Sequence, residues 1–255
     1  MKRQTYLGII LLVIVVLVAG CGGGTEQLKP ANASDIVHFY GFEGSADDTI
    51  GGLNGTINGS AAFSDFCYVG SKALDLSTNG ATKATGGSYV QLPPSLTLPE
   101  DMTVTAWVYV SEYNAWSRIF DFQNASTNQG IYLTLNDGSY LTFNVNNGLD
   151  KEKKLRSFWG NKPNASTFIP LKEWIHVAFT WSADEGPAVF INGKNINAWY
   201  EANWIGIAPC NLGELTNNYI GRSNWDNPDF KGYIDDFRIY KTVLSANDIA
   251  KLADQ

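Results

Sequence analysis

An all-β domain, built as a two-sheet antiparallel sandwich and finished by one short C-terminal helix, is what this 255-residue sequence predicts. Three observations carry the prediction. From residue 35 onward, short runs rich in β-branched and aromatic residues follow one another, among them "SYVQLP", "MTVTAWVYV", "IYLTLND", "EWIHVAFTWS", "PAVFINGKNI" and "GYIDDFRIY". Gly, Asn, Asp and Pro separate these runs, and Asn136-Asp137-Gly138 and Asn192-Gly193 put residues tolerant of positive φ where a hairpin must reverse. A clear helix start appears once, near the end of the chain. Two layers of antiparallel strands are the compact way to bury so many half-apolar runs.

The N-terminus comes first in chain order. Lys2 and Arg3 precede an apolar run from Leu7 to Val18, then Val18-Ala19-Gly20-Cys21. This reads as a signal peptide over residues 1–20 with a small-residue cleavage site. An uncleaved membrane anchor is the alternative, but the run falls short of the ~20 apolar residues that span a bilayer. The segment resembles the lipobox of bacterial lipoproteins. That resemblance implies cleavage before Cys21, lipidation of Cys21 (thioether lipid and palmitate-type acyl chains), and a membrane-anchored, extracytoplasmic protein whose partner is the lipid bilayer, on the outer membrane in a Gram-negative cell. Residues 21–34 are Gly-rich and without hydrophobic periodicity, as expected of a tether. Residues 35–255 then suit a single large β domain.

Charge narrows the partners. The formal net charge of −7 becomes −9 once Lys2 and Arg3 are removed, and no basic run offsets it, "KEKK" at 151–154 reading as a solvated loop. Nucleic acid is therefore not an expected partner. With Cys21 lipidated, Cys67 and Cys210 remain in an exported protein, where a disulfide between them is expected and two buried thiols are the alternative.

At the C-terminus, Ser245 and Asp248 form an S-x-x-D capping pattern, and Leu244 with Ile249 has the spacing of a hydrophobic staple, which predicts a helix over 246–253. The strand before it poses a question. Period-two alternation groups Tyr233, Asp235, Phe237 and Ile239 on one face, so a carboxylate falls among core residues, while Asp236 on the other face reads as solvated. A buried carboxylate must be protonated, hydrogen-bonded, paired or metal-bound.

The blocks "VQLPPSLTLPEDMTVTAWVYV", "LKEWIHVAFTW", "AVFINGK", "YIGRS" and "GYIDDFRIYKTVLSANDIAKL", in that order, resemble the laminin-G-like jelly-roll domains of the concanavalin A-like lectin/glucanase superfamily over about residues 36–252. The resemblance implies a jelly-roll connection of the sandwich. It also implies that first and last strands lie close together beside a structural calcium ion, for which this sequence offers Glu43, Asp48 and Asp235, with Asn54 nearby. Hydrogen bonds from backbone amides to Asp235, or pairing with Arg222 or Arg238, remain the alternatives. Residues 147–170 and 197–212 read as insertions, and long loops of this kind are commonly functional.

The same superfamily includes glycoside hydrolases, whose retaining members need two carboxyl groups about 5–5.5 Å apart. The relatives carry them as E-x-D-x-x-E or E-x-D-x-E, and no glutamate here begins that pattern. His38 and His176 lie inside strand segments, and no zinc or phosphate-loop spacing occurs. No catalytic residue is therefore assigned. Trp107, Trp174 and Trp181 fall inside strands and read as core or sheet residues. Trp116, Trp159, Trp199, Tyr200, Trp204 and Trp225 fall in loops or insertions beside Asn, Asp and Arg, the pattern that lets an aromatic ring stack on a sugar while polar neighbours meet its hydroxyls. The expected function is non-catalytic binding of a carbohydrate or surface glycan; alternatives are structural or adhesive binding of another protein, and an atypical glycoside hydrolase.

Overall fold

The computed structural model describes residues 33–80, 86–136, 141–147, 153–157, 169–196, 198–200 and 207–255, with 153–157 and 198–200 described by backbone alone. The expected leader (1–20), Cys21 and most of the expected tether (21–34) lie outside the described residues.

The strands are β1 (Ile36–Tyr40), β2 (Thr56–Asn58), β3 (Ala62–Ser64), β4 (Ala73–Asp75), β5 (Tyr89–Leu92), β6 (Leu96–Thr97), β7 (Met102–Val110), β8 (Phe120–Gln123), β9 (Gly130–Thr134), β10 (Leu141–Asn146), β11 (Lys153–Ser157), β12 (Trp174–Ser182), β13 (Gly186–Ile191), β14 (Lys194–Asn195), β15 (Ala198–Tyr200), β16 (Glu214–Leu215), β17 (Asn217–Ile220) and β18 (Gly232–Tyr240). The first sheet runs β14-β13-β12-β7-β18-β4-β3, with β1 also on β18; the second runs β15-β11-β10-β9-β8-β17-β5-β2; β16 and β6 form a separate small pair. All pairs are antiparallel, which is the predicted sandwich in its jelly-roll form.

Alternation explains the core. In β7, Val104, Ala106 and Val108 point between the sheets while Thr105, Trp107 and Tyr109 take the other face. Ile175, Val177, Phe179 and Trp181 do the same in β12, and Phe120, Phe122, Ile131, Leu133 and Phe143 answer them from the second sheet. Phe143 stacks on Phe179 across the gap, ring centroids 3.5 Å apart. At the predicted Asn192-Gly193 turn, φ is 46° and 73°, the double left-handed geometry that tight hairpins need.

The C-terminal helix α1 (Ala246–Ala253) begins as predicted, with the Ser245 hydroxyl accepting the Asp248 amide at 3.2 Å. Its buried side, Ile249 and Leu252, packs with Leu244, Tyr240, Ala178, Phe190 and Ile36. The helix thus covers the outer face of the first sheet at one end.

Strand β18 departs from simple alternation. Asp235 lies opposite Trp107 and Arg238 opposite Thr105, so two residues on β18, Asp236 and Phe237, stand against one on β7, Ala106. Asp236 is the extra residue, a β-bulge with φ 51°. The bulge shifts the phase: Ile234, Phe237 and Ile239 face the core, and Asp235 stands on the outer face with Tyr233. Asp235 is nevertheless 0% exposed, because the β3–β4 loop lies over it.

That loop answers the question raised by the strand. Asp235 Oδ2 accepts the amides of Tyr68 and Val69, both at 2.9 Å. Asp236 is buried rather than solvated, held by Arg238 through Nε–Oδ1 at 2.8 Å and Nη2–Oδ2 at 2.7 Å. Arg222 is taken by Asp229 at 3.1 Å. The disulfide expectation is corrected: no bridge joins Cys67 to Cys210, since Cys67 is buried with Sγ 3.8 Å from the Gly70 carbonyl and Cys210 is an exposed thiol.

Candidate functional site

The three carboxylates suggested for calcium each have donors of their own. Asp48 Oδ1 accepts the amides of Phe39, Ile50 and Gly51, and Oδ2 accepts His38 Nδ1 at 2.7 Å and the Leu53 amide at 3.0 Å. Burial opposes the charged form, but these hydrogen bonds outweigh it and hold Asp48 below the ordinary carboxylate range. Glu43 accepts the Ser71 and Lys72 amides, on the same loop that Asp235 clasps. Among the described residues no three His, Cys, Asp or Glu side chains gather into a metal site. A calcium ion needs several oxygens left over for it; Asp48 has none, so the three do not fit the ion as a common ligand set.

The outer face of the second sheet is different. In β8, Phe120 and Phe122 enter the core, so Asp121 between them stands on the outer face, 0% exposed. Arg118 Nε lies 3.5 Å from Asp121 Oδ2. Asn224 donates its backbone amide to Oδ2 at 3.0 Å and its side-chain amide to Oδ1 at 2.9 Å. Burial pushes the Asp121 carboxyl up to about 6, although Arg118 and Asn224 favour its charged form. Asn224 thereby pins the β17–β18 loop over the sheet, and the next residue, Trp225, is held by its amide on Ser223 Oγ at 3.1 Å.

Aromatic rings surround this polar centre. The Arg118 guanidinium carbon sits 3.8 Å from the Tyr132 ring centroid, 5.5 Å from Trp116 and 5.9 Å from Trp225. Trp225 meets Tyr132 edge to face at 5.7 Å and remains 37% exposed. Trp116 has φ 67°, uncommon for a bulky side chain and costing on the order of 1–3 kcal/mol. Its carbonyl accepts Arg118 Nη1 at 2.6 Å and its amide reaches the Asn136 carbonyl at 2.7 Å, so the strained turn places ring and arginine together.

Two of the six predicted aromatics, Trp116 and Trp225, are thus brought to one place. Trp199 and Tyr200 lie on β15, the edge strand of the same sheet, where Trp199 is in register with Arg156 and, through it, with Thr142. Trp159 and Trp204 lie outside the described residues. Sequence reading missed Arg118, Asp121, Tyr132 and Asn224; the alternation Phe120-Asp121-Phe122 was the available signal, since it sets one acid against two core rings.

A family model described as the concanavalin A-like lectin/glucanases superfamily (Laminin_G_3) matches residues 84–250. No curated protein matches the chain. Among solved structures, domain 4 of AbnA, a GH43 extracellular arabinanase from Geobacillus stearothermophilus in complex with arabinotriose, is 24% identical with a TM-score of 0.66, over 86% of this chain and 98% of that one. The receptor-binding domain of botulinum neurotoxin C/D mosaic serotype is 17% identical with a TM-score of 0.62, over 87% of this chain and 51% of that one. A botulinum neurotoxin type C structure, described as entering cells through interaction with two ganglioside molecules, is 18% identical with a TM-score of 0.59, over 88% and 52%. This chain spans about half the length of those toxin domains. At such identities the likeness is one of fold, and it agrees with the jelly-roll sandwich on which the Arg118–Trp225 site is built. The sandwich and the matched segment, which runs from before β5 into α1, place the chain in the laminin-G-like family of the concanavalin A-like lectin/glucanase superfamily.

Proposed function

We propose that this chain is a non-catalytic carbohydrate-binding protein, held outside the cytoplasm by a lipid on Cys21, and that it binds glycan at the outer face of the second sheet. The observation that carries the reading is the site itself: a half-exposed Trp225 beside Tyr132, Trp116 and a neutralised Arg118–Asp121 pair. The exposed part of the Trp225 indole is an apolar surface on which the C–H face of a sugar ring can pack, beside the polar side chains of the same loop. The arabinotriose and ganglioside named for two structural neighbours support this ligand class. Hydrolysis fits less well. A retaining mechanism needs a carboxylate poised for attack, whereas both oxygens of Asp121 accept Asn224.

A glycan-array screen followed by calorimetry tests the reading. Saturable binding that Trp225→Ala abolishes supports it; the absence of binding to every glycan overturns it, and reducing-sugar release would identify a hydrolase instead. One observation favours a second reading, adhesion to a protein: Phe66 and Tyr68, 45% and 41% exposed, crown an aromatic surface on the opposite face of the sandwich.

A further inference from the structure

The Trp225 site stands at one part of a row that crosses six strands. Asn144, Tyr132, Asp121, Tyr219, Gln91 and Thr56 lie directly opposite one another in turn, all on the outer face of the second sheet. Rings and polar groups alternate along it. Trp225 stands over Tyr132, and Tyr89 meets Tyr219 edge to face at 5.3 Å, widening the second aromatic position. These two aromatic positions are two strand spacings apart, roughly 10 Å, about the reach of two sugar units in an extended chain.

Among the described side chains of this face, charge is matched. Arg118 carries Asp121, and Arg222 carries Asp229 while lying 4.4 Å from the Tyr89 ring centroid. With the whole chain at −7, an anionic ligand finds little here to attract it. Next to Tyr132 in the row, Asn144 is 1% exposed, and among the described residues its Nδ2 has no acceptor. A buried amide donor without a partner is uncommon and calls for an acceptor such as a hydroxyl oxygen.

Resting on the carbohydrate-binding reading, we infer that this face binds the interior of a neutral, extended oligosaccharide laid across the strands from Trp225 to Tyr219, rather than a chain terminus or an acidic glycan. A terminal sugar would use one aromatic position; an internal segment uses both, and its affinity grows with length until both are filled.

Calorimetry with cello-, xylo- and arabino-oligosaccharide ladders, from monosaccharide to hexasaccharide, measures this on the whole mature chain. At least one ladder should gain roughly ten-fold in affinity between disaccharide and tetrasaccharide, the size of effect one stacking position supplies. Tyr219→Ala should erase that gain while leaving disaccharide binding intact, with its melting temperature recorded alongside. Equal affinity for every length, or tighter binding of oligogalacturonates than of any neutral ladder, overturns the inference and leaves glycan binding standing. Silence on all ladders while the array shows another glycan class also overturns it. Silence on ladders and array together removes the carbohydrate reading itself.

Discussion

Each outer face of the sandwich buries an aspartate on a central strand, Asp235 on β18 and Asp121 on β8, and the two are used in opposite ways. Asp235 accepts two backbone amides from the β3–β4 loop. The same loop lays Tyr68 flat on Trp107 at 3.5 Å and Phe66 on Tyr109 and Tyr233 at 4.9 and 5.0 Å. On that face the carboxylate ties down a cover. Asp121 instead holds a cation and an asparagine, which in turn carry Trp225 into solvent. The lesson is that burial alone does not assign a role to a carboxylate: backbone donors alone make it a fastener, whereas added side-chain partners, one of them a cation among aromatic rings, make it the base of a surface.

Breaking the second arrangement should have the largest effect. Arg118→Ala leaves Asp121 buried without its cation and removes the guanidinium between three rings; we expect a loss of about 3–5 kcal/mol by urea denaturation. A loss below 1 kcal/mol would show that Asp121 is carried by Asn224 alone.

Asp235→Asn sharpens the contrast through pH. Burial, then the two opposing amide bonds and the nearby Asp236 and Glu43, leave the Asp235 carboxyl raised from 3.8 to about 7. Because the folded value lies above the unfolded one, the stability contributed by the protonated form is fully present below pH 3.8 and is lost as pH rises through 7. Wild type should therefore lose on the order of 3–4 kcal/mol relative to Asp235→Asn between pH 4 and pH 7.5. His176, which burial lowers to about 3, has the opposite slope, but it is present in both proteins and cancels in the difference. A pH-independent difference would show Asp235 ionised throughout.

Trp225→Ala should separate binding from folding. Its half-exposed ring contributes little to the core, so a change in stability of about 1 kcal/mol or less is expected beside a loss of roughly ten-fold or more in glycan affinity. Unfolding as severe as that of a core Trp→Ala change, about 3–5 kcal/mol, would make Trp225 a packing residue. The smallest effect is expected from chelation. With Asp48 saturated by five donors, Glu43 held by the Ser71 and Lys72 amides, and Asp235 Oδ2 held by those of Tyr68 and Val69, EDTA should leave the melting temperature unchanged. A clear drop would reveal a cation bound by other oxygens.

What the sequence by itself determined is local or repetitive. Period-two runs, Asn-Gly turn chemistry and the Ser245 cap depend on neighbours within a few residues, and together they specified a two-sheet sandwich closed by α1. The order of blocks added the jelly-roll family. Tertiary structure decided everything that depends on distant chain segments meeting. One extra residue at Asp236 reversed the phase of β18 and moved Asp235 from the core to the outer face, a change that strict alternation cannot foresee because the bulge is defined by its pairing with β7. Cys67 and Cys210 looked like partners because both would remain in the exported chain that the N-terminus leads one to expect, yet a bridge requires their backbones to approach, and one thiol is buried while the other is exposed. Trp116 and Trp225 were legible as unusual aromatics; that they meet on Arg118, over an aspartate 103 residues before Asn224, was settled only when β8, β9 and β17 paired.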